Sequence, residues 1–154
     1  MLKINDKLPN FEIPTDRENF KVSNHNGKNI VVFFFPRADT SGCTAESIAF
    51  TNFQKDFDDL NCIVIGISKD KVEKQAKFRE KYNLSCELGA DFENNICEQF
   101  GVWVEKSMYG RKYMGIQRAT FLSNNSGNII NVWEKVKVPG HVEEVLKAVK
   151  KLNE

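Results

Sequence analysis

Four residues whose types can do chemistry fall close together in the stretch PRADTSGCTAE: Pro36, Thr40, Cys43 and Glu46, with Gly42 beside the thiol. The stretch follows NIVVFFF, the most apolar run of the chain. Pro36 ends that run, because proline cannot donate to a sheet ladder. Asp39, Thr40, Ser41 and Gly42 are turn and N-cap formers, so Cys43 is expected in the first turn of a helix. There the positive end of the helix dipole favours a thiolate, which in comparable settings lowers a cysteine pKa from ~8.5 to roughly 3.5–7.5. The polar, turn-forming surroundings predict a thiol within reach of small molecules. A reactive thiolate is a nucleophile, and Thr40, three residues earlier, can both cap the helix and turn its hydroxyl toward the sulfur. Far along the chain Arg118 opens the segment RATFLS, where a guanidinium must reach solvent or find an anion. A permanent cation near Cys43 would favour both the thiolate and negative charge developing in a transition state.

The apolar pattern alternates between two periods. Ile30–Phe35 and CIVIGI at 62–67 are short continuous runs, the form of strands covered on both faces. Between them, Thr44–Leu60 reads as one helix with Ile48, Phe53, Phe57 and Leu60 inward. A second helix is predicted over Lys71–Tyr82 with Val72, Ala76 and Tyr82 inward, then a weaker strand over Leu84–Leu88 and a short helix over Asn94–Phe100. Glu105–Gly115 reads as a loop. RATFLS and IINVWE form a hairpin about the turn at Asn124–Gly127, and the stripe Val142, Val145, Leu146, Val149 and Leu152 closes the chain as a helix. The order describes an α/β protein, a mixed central sheet with helices on both faces and right-handed crossovers in its parallel part. It is compatible with a thioredoxin-like three-layer sandwich. Phe34, Phe35, Phe50, Phe53, Phe57, Phe100 and Trp103 are expected in the core.

A chain of 154 residues is the size of one typical domain, and one domain over 1–154 is expected. With 22 basic and 21 acidic residues for a formal net charge of +1, no extended field attracts nucleic acid or a membrane. No apolar leader or bilayer-length run is present, so a cytoplasmic protein is expected. The four cysteines, Cys43, Cys62, Cys86 and Cys97, have no C-x-x-C spacing, and His25 and His141 are remote from them in sequence. That argues against a metal site, a structural disulfide framework and a thioredoxin-type dithiol active site. No cofactor is implied.

The PRADTSGCTAE stretch resembles the active-site loop of peroxiredoxins, whose pattern of Pro, Thr or Ser, and Cys is met by Pro36, Thr40 and Cys43. Gly42 to Glu46, VIGIS at 64–68, CEQFGVW at 97–103 with EKS at 105–107, and GIQR with TFL across 115–122 extend the likeness over nearly the whole chain. They are similar to the bacterioferritin comigratory protein or peroxiredoxin Q branch. The resemblance implies a thioredoxin fold and thiol-dependent reduction of hydrogen peroxide and organic hydroperoxides. Cys43 would be the nucleophile passing through a sulfenic acid, Arg118 its activating cation, Thr40 a hydroxyl for sulfur and substrate, and Pro36 a shield. Gly42 and Glu46 would belong to the substrate-binding loop, Glu46 pairing with Arg118 or another basic residue.

The chain departs from that pattern where relatives carry a resolving cysteine. Those positions hold Ile48 and Arg79 here, and Ser41 stands where TPGC has proline. One-cysteine recycling by an external thiol, namely thioredoxin, glutaredoxin or glutathione, is therefore expected. Resolution by Cys86 or Cys97, and a peroxide-sensing switch or holdase with little turnover, are the alternatives. Cys62 reads as a small core residue. A monomer or weak dimer is expected.

Overall fold

The computed structural model describes residues 1–153. Strand β1 (Glu12–Ile13) pairs with β2 (Phe20–Lys21) as a short antiparallel ribbon that covers one side of the molecule. The central sheet contains β3 (Asn29–Phe34), β4 (Cys62–Ser68), β5 (Glu87–Ala90), β8 (Ala119–Ser123) and β9 (Ile129–Trp133) in the order β5-β4-β3-β8-β9. Its first three strands are parallel and the last two antiparallel.

Strand β3 has a core on each side, which explains its uninterrupted apolar sequence. Val31, Phe33 and Phe35 point to one layer, with helices α1 (Ser41–Asn52), α2 (Gln54–Asp59), α3 (Val72–Tyr82) and α5 (His141–Leu152). Ile30, Val32 and Phe34 point to the other, with the N-terminal segment and α4 (Ile96–Phe100). Phe50 of α1 stacks on Phe33 with ring centroids 4.4 Å apart, holding the helix that carries Cys43 against the sheet.

Four expectations change. Thr44–Leu60 is two helices broken at Phe53, and the fully buried aromatics are Phe50 and Phe57, with Ile48, Phe53 and Leu60 only partly covered. In α3 the fully buried residues are Gln75 and Phe78; Val72 and Tyr82 are partly covered, Tyr82 against the core, and Ala76 is exposed. Apolar periodicity misses Gln75 because its buried amide donates to Ser68 Oγ and the Gly89 carbonyl at 3.0 and 2.8 Å. The weak strand lies at 87–90, beginning three residues after its predicted start and ending two after its predicted end. The segment 105–115, read as a loop, is most of a hairpin of β6 (Trp103–Met108) and β7 (Arg111–Ile116). Its two-residue turn has φ of 52° at Tyr109 and 77° at Gly110, the left-handed pair that suits a tight hairpin. Exposed side chains on both faces erase the alternation that would have announced these strands. The expected core aromatics Phe34, Phe35 and Phe100 are fully buried, while Trp103 is partly covered.

His141 opens α5 in the core, 4% exposed, with Nε2 2.8 Å from Thr120 Oγ1. Burial, reinforced by the charge of Arg118, brings its imidazole down to about 4 from 6.5. The unfolded chain therefore binds the proton more readily, and stability falls as pH drops from 6.5 through 4. The expected loss is roughly 2–3 kcal/mol from this group, read as a falling urea midpoint. His141→Asn should flatten that part of the pH profile.

Candidate active site

Strand β3 delivers the chain to the loop 36–40 at the carboxyl end of the sheet, where open α/β sheets gather their chemistry. Pro36 stands exposed at the exit. The Ala38 N–H donates to Asp70 Oδ2 at 2.7 Å, and the same oxygen accepts the Ser68 hydroxyl at 2.7 Å, tying the loop to the end of β4. Asp39, in a left-handed conformation with φ 65°, accepts hydrogen bonds from Tyr82 and Lys81 at the end of α3. Sequence reading missed these anchors; Asp70 had only its place just past the carboxyl end of a predicted strand to mark it.

Thr40 is the extended N-cap residue of α1, and its carbonyl accepts the Thr44 N–H at 2.8 Å. Its hydroxyl neither caps the helix nor faces sulfur; it donates to the Arg37 carbonyl at 2.9 Å. Cys43 is the third residue of the helix. The expected accessible thiol is fully buried at 0% exposure, packed in the same core layer as Phe33 and Phe50. That burial depends on core packing which local sequence does not carry, while the cation expected beside the thiol is there: Arg118, 75 positions away, donates from Nη2 to Cys43 Sγ at 3.2 Å.

Register explains the meeting. Ala119 of β8 lies opposite Phe34 of β3, so Arg118 falls beside the point where the chain leaves β3 for the cysteine loop. Its Nη1 donates to Glu46 Oε1 at 2.7 Å. Glu46 is one turn along α1 from Cys43, and the guanidinium thus bridges sulfur and carboxylate on one helix face. Gly42 gives it room: a Cβ there would sit 3.2 Å from Arg118 Nη2. Burial pushes the Glu46 carboxyl up to about 7, against the pull of Arg118, and its Oε2 is buried without a partner. Burial also works against charge on Arg118, but Glu46 and Cys43 outweigh it and hold the guanidinium above its ordinary value. The arrangement sets a buried thiol, a cation and a buried acid side by side, groups that can accommodate negative charge passing from sulfur to a departing oxygen.

The AhpC/TSA family model matches residues 4–132. Peroxiredoxin Bcp of Bacillus subtilis is 42% identical over 154 residues, covering 99% of this chain and 98% of that protein. Peroxiredoxin Bcp of Escherichia coli is 37% identical over 150 residues, 97% of this chain and 96% of that one. The chain belongs to the AhpC/TSA family and is a peroxiredoxin. Solved structures agree: Xanthomonas campestris peroxiredoxin Q superposes with a TM-score of 0.89 at 32% identity, over 96% of this chain and 97% of that one. The bacterioferritin comigratory protein of the same organism, whose structure was solved for its alkyl peroxide reduction activity, matches at TM-score 0.89 and 31% identity over 97% and 98% of the two chains. A mutant PrxQ of Xylella fastidiosa reaches 0.94 at 31% identity over 100% and 99%. The thioredoxin-like fold and a thiol-dependent peroxidase follow, with a peroxide as substrate and a thiol as reductant.

The remaining cysteines of this peroxiredoxin lie apart from Cys43. Cys97 is packed on the other face of the central sheet, its N–H donating to buried Asp91 at 2.8 Å. Cys86 shares the layer of Cys43 but follows Ser85, whose N–H donates to Thr51 near the far end of α1. Glu87 lies opposite Ile65 and Ile65 opposite Val32, so Cys86 sits two strand spacings, about 10 Å, from the middle of β3. Cys43 lies beyond the carboxyl end of that strand, and a disulfide needs Cα atoms within roughly 7 Å. Neither candidate resolving cysteine is therefore brought to Cys43. Burial pushes the Cys62 and Cys86 thiols up to about 12, and burial with the charge of Asp91 raises Cys97 as well. Arg79, at the aligned resolving position, pairs with Asp16 and donates to the Leu84 and Cys86 carbonyls, which closes that end of α3. Among the described residues no helix is long and apolar enough to cross a membrane, and no group of three His, Cys, Asp or Glu could hold a metal ion.

Proposed function

We propose that this peroxiredoxin works by a one-cysteine cycle centred on Cys43, and that residues 1–154 act as one domain, monomeric or weakly dimeric, in the cytoplasm. The reading rests chiefly on the Arg118 guanidinium spanning Cys43 Sγ at 3.2 Å and Glu46 Oε1 at 2.7 Å. The Cys43 thiolate attacks the terminal peroxide oxygen, the S–O bond forms as the O–O bond breaks, and the departing hydroxide or alkoxide takes a proton. Sulfur is oxidised to sulfenic acid and the peroxide reduced to water or an alcohol. Arg118 follows the negative charge from sulfur to the departing oxygen. A rotation of the Thr40 hydroxyl away from the Arg37 carbonyl would bring it to substrate, with Pro36, Gly42 and Glu46 forming the rest of the pocket. The alkyl peroxide reduction described for the Xanthomonas protein supports organic hydroperoxides beside hydrogen peroxide as substrates.

An external thiol, supplied by thioredoxin, glutaredoxin or glutathione, then condenses with the sulfenic acid. Water leaves, a mixed disulfide forms, and a second thiol releases Cys43. Separation of Cys86 and Cys97 from Cys43 supports this route over an internal disulfide. Intact mass after one equivalent of peroxide tests it: the expected product carries one added oxygen on Cys43 with the other three thiols intact. Loss of two hydrogens, abolished by serine at Cys86 or Cys97, would overturn it. Oxidation that alters assembly, without turnover by any thiol donor, would favour the sensor or holdase.

A further inference from the structure

The face that α1 turns to the core is made of Cys43, Glu46, Ser47 and Phe50, all 0% exposed. These positions are three and four apart, so their side chains stand one above another along the helix. Only Phe50 is an ordinary core residue. Among the described residues five buried side-chain atoms lack a hydrogen-bond partner, and three of them crowd into the first two turns of α1: Thr44 Oγ1, Glu46 Oε2 and Ser47 Oγ. Thr44 is about 100° round the helix from Cys43, whereas Glu46 and Ser47 share its face. An unpaired buried hydroxyl costs stability, so a serine in this place calls for a partner.

Side chains of a helix lean toward its N-terminus, which tips the Ser47 hydroxyl back over the turn that carries Cys43. The common outlet for a helical serine, a bond to the carbonyl four residues earlier, is not made here. Glu46 Oε1 is engaged by Arg118 at 2.7 Å, and its Oε2 is left over on the same buried face. Arg118 Nη2 meets the sulfur itself at 3.2 Å. Oxidation adds to Sγ an oxygen that both donates and accepts hydrogen bonds, on the helix face where the two unpaired atoms stand. Burial holds the Glu46 carboxyl at about 7, so near neutrality Oε2 can take either side of a hydrogen bond.

We propose that Ser47 Oγ and Glu46 Oε2 form a polar pocket that receives the oxygen of a Cys43 sulfenic acid, the Ser47 hydroxyl donating to that oxygen and Oε2 pairing with its O–H. The inference rests on Cys43 as the nucleophile of a one-cysteine cycle. In such a cycle no internal thiol consumes the sulfenic acid, which must outlast the wait for an external one. Its competing fate is attack on a second peroxide. A second S–O bond then forms, the O–O bond breaks, water or an alcohol leaves, and sulfur ends as sulfinic acid, which thiols do not reduce. A second oxygen must displace the first from its hydrogen bonds in a fully buried site, and the pocket thereby slows that loss.

The test compares wild type with Ser47→Ala. Reduced full-length protein, without a thiol donor, receives graded hydrogen peroxide; dimedone added at intervals traps sulfenic acid, and mass spectrometry maps sulfenic and sulfinic acid on each cysteine. Ser47→Ala should reach half-conversion of Cys43 to sulfinic acid at about fivefold lower peroxide, the worth of one hydrogen bond, and its dimedone-reactive form should decay faster by a similar factor. Alanine favours the helix and removes an unpaired hydroxyl, so the reduced variant should unfold at the same or a higher urea concentration than wild type. Sulfinic acid appearing at the wild-type peroxide concentration, with the oxygen on Cys43, would overturn the pocket and leave the Cys43 cycle standing. Faster loss of sulfenic acid accompanied by a lowered urea midpoint of the reduced protein would mark a structural role and overturn the pocket as well. Oxygen mapped to another cysteine in wild type would overturn the nucleophile assignment and this inference with it.

Discussion

Cys43→Ser should reduce peroxide consumption to background, a loss of roughly a thousandfold or more, with the far-UV spectrum unchanged. A serine hydroxyl stays protonated at neutral pH and cannot make the sulfur–oxygen bond on which the cycle depends, yet it can still accept the hydrogen bond from Arg118. The other thiols offer no substitute, because burial raises Cys62, Cys86 and Cys97 far above neutrality. Stopped-flow measurement of peroxide loss with excess thiol donor checks the result. Residual turnover near the wild-type rate would remove Cys43 from the reaction.

Arg118→Met has the second largest expected effect, a fall of about 10²–10³ in the rate of Cys43 oxidation. The substitution keeps much of the side-chain bulk and removes the donors that meet sulfur and carboxylate at 3.2 and 2.7 Å. It also leaves Glu46 buried without its cation. Burial already places that carboxyl at about 7 against an ordinary 4.5, so the native protein holds the proton more tightly than the unfolded chain. For such a group stability is greatest below the unfolded pKa and declines as pH rises through the folded one. The Arg118→Met variant should therefore lose stability more steeply than wild type between pH 6 and 8, a trend followed by urea midpoints across roughly that window. Adding Glu46→Gln should remove this slope without restoring the rate, which separates the guanidinium's part in chemistry from its part in burying an acid. An Arg118→Met protein that oxidises as fast as wild type would contradict the proposed transition-state role.

Much of the framework was written in local patterns. Strands covered on both sides must be apolar throughout, and β3 and β4 are. A half-buried helix needs a stripe, and Val142, Val145, Leu146 and Val149 supply one, all buried in α5. Pro36 followed by turn formers placed the start of α1 and set Cys43 in its first turn, because strand ends, turns and helix starts are governed by a few adjacent residues. The long helix and the hairpin at 103–116 were misread for related reasons: Phe53 interrupts a continuous apolar rhythm without any proline or glycine to announce it, and β6 and β7 expose both faces.

The sequence by itself determined the α/β alternation, the position of a lone cysteine at a helix start, and the absence of a second thiol in C-x-x-C spacing. Tertiary structure decided what that cysteine meets. The burial of its thiol, the guanidinium bridging it to Glu46, the anchoring of its loop by Asp70, and the remoteness of Cys86 and Cys97 all depend on strand register and on which face of the sheet each helix covers. Those are set by packing between segments tens of residues apart. A pattern confined to neighbours along the chain carries no record of them, since the same apolar runs can be satisfied by more than one register until the whole core closes.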